Sequence, residues 1–257
     1  MARDRSKDIY ILDMPLPIAI LAALSACVSL GFLGARVVYR PFRAPSASMQ
    51  PAIAPGDYFI ADKFAYANGR SPKRGDIVVF RPDTHPDRSF VKRVVGIGGD
   101  TVQISDGVLR VNGRAITSAP TSTLTLDDSW GGEVAYDVSN ETSADSVRYR
   151  VLSLHAEPGV VTQTCDVPAG LPADTPGAES MCSESKPEGV TPGDDTQVYK
   201  VPDGYLFMLG DNRDNSADSR FEMGGFGYVP VASVCGKVTY VMGNETYIPQ
   251  VLGAMRP

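Results

Sequence analysis

The chain has 257 residues, 24 of them Lys or Arg and 30 Asp or Glu, for a formal charge of −6. With 43 % hydrophobic and 21 % charged residues it is too apolar for wholesale disorder, and its length allows one large domain or two small ones. No cluster of Lys and Arg supplies a phosphate-neutralising footprint, so nucleic acid is not an expected partner. A single long apolar stretch excludes a multi-span membrane protein.

That stretch is 15–35, PLPIAILAALSACVSLGFLGA, 21 residues without a charge. At about 1.5 Å rise per residue it spans about 31 Å, the thickness of a bilayer's hydrocarbon core. A cleaved secretory signal has a shorter apolar region ending in small residues. Here Leu30, Phe32 and Leu33 interrupt the small residues and Arg36 follows at once. An uncleaved anchor over 15–35 is expected, with 1–14 as a cytoplasmic segment. Arg3, Arg5 and Lys7 before the span balance Arg36, Arg40 and Arg43 after it, so the Lys/Arg rule gives no orientation.

Beyond the span the pattern is β. Runs at 58–64, 76–80, 90–97, 101–104 and 108–111 are rich in Val, Ile, Phe and Tyr and are punctuated by Gly with Asp or Asn. Asp106-Gly107 between two such runs is a two-residue hairpin signal. Runs at 147–154, 197–201, 205–209 and 234–242 continue the theme. The expected fold is mainly β: an N-terminal transmembrane helix, then a folded or barrel-like antiparallel domain over 36–257.

The composition shifts between about 121 and 197. Residues 127–195 hold three basic and fourteen acidic side chains, and much of the segment is Pro, Gly and Ser. It reads as a loop-rich insertion, with a hairpin at most near 147–154. Cys165 and Cys182 lie within it, without the companion spacing of a zinc site. Outside the cytosol they are candidates for a disulfide, whose loop closure contributes on the order of 3 kcal/mol.

Three islands stand apart from the scaffold. In 41–51, PFRAPSASMQP, two prolines bracket a Ser-x-Ser-Met turn; taken alone, such serines hydrogen-bond their own backbone. In 90–96, FVKRVVG, Lys92 sits among apolar neighbours. Buried there, it loses its charge readily and becomes a base; on the other strand face it is merely solvated. In 210–220, GDNRDNSADSR, Arg213 and Arg220 stand where a calcium loop needs ligands, so a loop knitted by Asp–Arg pairs is the better reading and no metal is expected.

Together, in order and behind one span, these islands resemble the signature boxes of the bacterial type I signal peptidases, membrane-anchored serine proteases. PSASMQP (45–51) resembles the nucleophile box, RGDIVVFRP (74–82) the next strand, KRVVGIGGD (92–100) the lysine box and GDNRDNSADSR (210–220) the last box. The resemblance covers roughly 41–113 and 205–237. It implies Ser48 as nucleophile, Lys92 as general base, and an oxyanion hole from the Ser48 N–H and the Ser46 hydroxyl. It implies that Ser216 orients Lys92, that Asp218 and Arg220 support the site, and that Ala44, Met49, Ile53, Phe90 and Val91 line pockets for small residues at −1 and −3 of the substrate. Pro41 and Phe42 match the membrane-facing rim. No cofactor is implied. The partners it implies are exported preproteins, the lipid bilayer and the secretion translocon, and the location a bacterial cell membrane with the catalytic domain outside.

The residues alone agree with a Ser–Lys pair. His85 and His155 are the only histidines, both in polar surroundings, so a Ser–His–Asp triad lacks its base. Gly98 stands where the family commonly has Pro, and Ala44 is smaller than the aliphatic residue often found there, which implies a looser turn and a roomier −3 pocket. A peptidase specialised for one conjugation or pilus precursor and a non-catalytic membrane-tethered β module remain alternatives.

Overall fold

Short β-branched and aromatic runs, each ended by a turn residue, cannot grow into helices and pair instead. The computed structural model describes residues 38–83, 85–127, 133–155, 193–221 and 225–243, with seven helical positions between Leu21 and Gly31. The chain divides into two units, Met1–Arg40 and Pro41–Pro257. Among the described residues no helix is long and apolar enough to cross a membrane. Most of the expected anchor 15–35, the segment 1–14, Cys165 and Cys182 lie outside the described residues.

The strands are β1 (Tyr39–Arg43), β2 (Tyr58–Asp62), β3 (Ile77–Phe80), β4 (Phe90–Ile97) and β5 (Thr101–Ser105). They continue with β6 (Val108–Val111), β7 (Arg114–Ala115), β8 (Thr117–Asp127), β9 (Glu133–Thr142) and β10 (Arg148–Leu154). The last are β11 (Tyr199–Lys200), β12 (Tyr205–Leu209), β13 (Val229–Pro230) and β14 (Val234–Met242). They form a seven-stranded sheet in the order β1-β2-β14-β3-β4-β12-β13, a four-stranded sheet β11-β5-β6-β7 and a three-stranded sheet β10-β9-β8. From β2 to β13 every pairing in the large sheet is antiparallel. The mainly β expectation therefore holds.

The middle of the large sheet is covered on both faces. On β3, Ile77 and Val79 join one apolar cluster while Val78 and Phe80 join another. On β4, Val91 packs against the first and Val94 belongs to the second. A strand buried on both faces reads as a continuous apolar run rather than an alternating one, as IVVF does. The expected hairpin joins β5 and β6: Asp106 and Gly107 have φ of 51° and 70°, as a tight turn between twisted strands requires.

The expectation of loop from about 121 onward is corrected for its first half. β8, β9 and β10 pair antiparallel, and Tyr136, Val138 and Leu152 form a small core that Leu124, Leu126, Val134 and Leu154 complete. These residues recur with period two, so one face is apolar although the average composition is polar.

Candidate active site

Ser48 lies in a turn pinned at both ends. Its neighbours Met49 and Ile53 are almost wholly buried, in one cluster with Ala44, Phe59, Ala61, Ile77 and Val79. The Ile53 N–H donates to Met49 O at 2.9 Å and Gln50 N–H to Ala47 O at 3.0 Å, which closes the turn. Ala44 N–H donates to Asp57 O and Gly56 N–H to Ala44 O, each at 2.8 Å, tying the entry strand to its exit. Burial of Met49 thus fixes the serine beside it.

Lys92 lies on β4 opposite Val78 of β3, in the sheet interior, and is 4 % exposed. Of the two strand-face alternatives, the buried one holds. Its Nζ stands 2.7 Å from Ser48 Oγ, across 44 residues of sequence. Ser46 Oγ lies 3.3 Å from the same oxygen.

The charges around Lys92 are already engaged. Arg93, next in sequence, grips Asp211 with two hydrogen bonds of 2.7 and 2.6 Å and donates to Gly75 O at 2.8 Å. Its guanidinium also lies 4.0 Å from the centre of the Tyr149 ring. Arg220 holds Asp218 through Nε at 2.9 Å and Nη2 at 3.0 Å, and Gly210 N–H donates to the same carboxylate at 3.1 Å. Burial opposes the Asp218 charge, but Arg220 and these hydrogen bonds outweigh it and hold its pKa below the usual carboxylate value. Among the described residues no carboxylate forms a salt bridge with Lys92. Burial therefore dominates over the more distant pull of Asp218 and Asp211, and the Lys92 pKa falls from 10.5 to about 8.

The loop 210–220 is knitted by Asp–Arg pairing as expected, though two of its pairs reach outside it. Asp211 binds Arg93 of β4, and Arg213 binds Glu141 of β9 with two hydrogen bonds of 2.6 Å. β10 runs beside the loop: Leu152 N–H donates to Asp211 O and Arg213 N–H to Leu152 O, each at 2.8 Å. The loop in turn touches the turn that carries Ser48, where Asn212 N–H donates to Ser48 O at 3.2 Å. Gly210 is packed so closely that a Cβ there would strike Ser216 Oγ and the Ser48 carbonyl oxygen.

Ala44, Met49, Ile53 and Val91 come together in one apolar cluster beside Ser48. Phe90 does not join them. It packs with Phe80 and Phe226 in the second cluster, its ring centroid 4.6 Å from that of Phe226, because strand alternation sends it to the face opposite Val91. Ser216 is buried beside Gly210, and its Oγ has no hydrogen-bond partner among the described residues. Gly98 is tight rather than loose, since a Cβ there would sit 2.9 Å from Asp203 Cα and 3.2 Å from Pro202 O. Sequence reasoning missed Asp211, Arg93, Glu141 and Gly210. No sequence signal pointed to Glu141, since Asp211 and Asp214 within the loop were nearer candidates for Arg213.

A serine hydroxyl against a buried, charge-starved lysine at the edge of an apolar cluster is an arrangement suited to a serine hydrolase, and the chain is a serine endopeptidase. Residues 17–242 match the family model of signal peptidase, peptidase S26, and the chain belongs to that family. It is 32 % identical over 215 residues to the signal peptidase I of Aquifex aeolicus, covering 80 % of this chain and 77 % of that one. It is 28 % identical over 224 residues to the signal peptidase I of Rickettsia prowazekii, covering 80 % and 72 %. The crystal structure of an Enterococcus faecalis signal peptidase I aligns with 65 % of this chain and 97 % of its own at 23 % identity and a TM-score of 0.31.

Proposed function

We propose that this chain is a membrane-anchored endopeptidase that removes N-terminal signal peptides from exported preproteins, using Ser48 as nucleophile and Lys92 as general base. The observation that carries the reading is the 2.7 Å separation of Ser48 Oγ and Lys92 Nζ, in a setting that lowers the lysine pKa to about 8. A serine hydroxyl attacks a peptide carbonyl only when a base takes its proton, and an amine that is neutral near physiological pH is such a base.

In the first half-reaction Lys92 Nζ takes the Ser48 proton as Oγ bonds to the scissile carbonyl carbon. The resulting oxyanion is stabilised by the Ser48 N–H and the Ser46 hydroxyl. Collapse breaks the C–N bond, and the Lys92 ammonium returns the proton to the departing amine of the mature protein. In the second, Lys92 takes a proton from water as the water oxygen bonds to the acyl carbon. Collapse breaks the C–Oγ bond, the Lys92 ammonium returns the proton to Ser48 Oγ, and the signal peptide leaves as a carboxylic acid that gives its proton to solvent. Asp218 and Arg220 support this site; the hydrogen bond by which Ser216 was expected to orient Lys92 is not formed, since Ser216 Oγ has no partner among the described residues. Ala44, Met49, Ile53 and Val91 line the pockets for small residues at −1 and −3.

The segment 15–35 is the anchor in this reading, with 1–14 cytoplasmic and 36–257 outside. Twelve residues separate Ala35 from Ser48, which keeps the nucleophile near the bilayer surface, where a signal peptide's cleavage point follows its own apolar region. Exported preproteins, the bilayer and the translocon are the partners. The test is cleavage of a purified preprotein by the full-length protein in detergent. Ser48→Ala and Lys92→Ala are each expected to lose at least about 10³-fold in rate; wild-type cleavage by either would reject the assignment.

A further inference from the structure

Glu141 lies in the acidic segment that composition marks as a loop-rich insertion, yet its side chain is wholly buried. Both its oxygens accept hydrogen bonds from Arg213, and Thr117 Oγ1 on β8 donates to Oε1 at 2.8 Å. A two-pronged carboxylate–guanidinium pair fixes direction as well as distance. Arg213 passes that constraint on. Its Nε donates to Gly210 O at 3.1 Å, and its own carbonyl accepts from Arg220 Nη2. Gly210 N–H and Arg220 converge on Asp218, while Asn212 N–H, one residue before Arg213, holds Ser48 O at 3.2 Å. The contacts therefore run without a break from β8 and β9 to the backbone of Ser48. There is little slack, because Gly210 packs against Ser48 O and Ser216.

We infer that Glu141 is a positioning residue for the peptidase reaction: through Arg213 it holds the 210–220 loop against the Ser48 carbonyl and so sets the approach of Ser48 to Lys92. This rests on the reading of those two residues as the reacting pair. The sheet β8–β10 is then a working part of the enzyme. A residue that only stapled sheet to loop would change stability alone. A positioning residue changes the chemical step while substrate affinity stays, because the apolar cluster of Ala44, Met49, Ile53 and Val91 includes neither Glu141 nor Arg213.

The test is steady-state cleavage of a preprotein by full-length protein in detergent, normalised to the folded fraction from a thermal melt. Misplacement of reacting groups by about 1 Å costs about 10²-fold. Glu141→Gln is expected to lower kcat about 10- to 100-fold with KM within about twofold, and Glu141→Asp, which keeps the charge, to recover at least half of that loss on a logarithmic scale. Thr117→Val, a milder change that frees one side of Glu141, is expected to lower kcat about two- to fivefold at unchanged KM, and it decides the matter if Glu141→Gln does not fold. Wild-type kcat per folded molecule in Glu141→Gln, or in Thr117→Val where that variant decides, overturns the inference, as does a loss confined to KM. Ser48→Ala runs alongside: if it is inactive, such a result rejects the role of Glu141 alone, and if it is active, the nucleophile assignment falls and this inference with it.

Discussion

Arg93 and Asp211 form a two-pronged pair, Nε to Oδ1 at 2.7 Å and Nη2 to Oδ2 at 2.6 Å, one residue along β4 from Lys92. The pair joins the lysine strand to the 210–220 loop and occupies a carboxylate that would otherwise serve as counter-ion to Lys92. Because both groups are buried, removing one leaves the other uncompensated. Asp211→Ala is expected to cost about 3–5 kcal/mol in urea unfolding, whereas the double change Arg93→Met with Asp211→Leu costs less than that single. Equal losses in single and double variants would contradict the pairing argument.

Gly210 offers a second test. A methyl group there meets Ser48 O and Ser216 Oγ, so Gly210→Ala must move the Ser48 turn or the loop. The expected cost is about 1–3 kcal/mol in stability, and kcat falls about tenfold or more. Gly99→Ala is the comparison. Gly99 has φ of +88° and open space around it, so an alanine there is strained but displaces nothing in the site. It is expected to lower the thermal midpoint while kcat stays within about twofold.

A buried lysine destabilises the fold in a pH-dependent way. Its folded pKa of about 8 lies below the 10.5 of the unfolded chain, so between these values the unfolded state binds more protons and stability rises with pH. Below pH 8 the penalty is full, about 3 kcal/mol. Lys92→Met is therefore expected to unfold at higher urea than wild type at pH 7, by on the order of 1–3 kcal/mol, with the gap narrowing as pH rises from 8 toward 10.5. A variant less stable than wild type at pH 7 would show that the lysine is not desolvated.

Where apolar runs are short and bounded by turns, the strands could be read directly: β4, β6, β12 and β14 match their expected limits to the residue. β8 and β9 escaped because Thr and Ser dilute the signal in TSAPTSTLTLD, and because Glu133 and Asp137 alternate with the core residues of EVAYDVSNET. Only pairing with β10 shows that the inner residues share a core. At the site, Ser48 and Lys92 came from motif order, since spacing along the chain says nothing about two side chains 44 residues apart. Glu141 had no local signal at all; its role follows from a partner 72 residues away. Phe90 was misplaced because a motif names neighbours in sequence, whereas strand alternation sends neighbours to opposite faces.

The central claim is that Lys92 acts as a neutral amine held beside Ser48. The pH dependence of kcat/KM for preprotein cleavage reports the free enzyme's essential groups and tests that claim most directly. Activity is expected to rise tenfold per pH unit on the acid side and level off through a midpoint near 8. A profile that is flat from pH 6 to 10, or one that levels only near the 10.5 of an ordinary lysine, would contradict it.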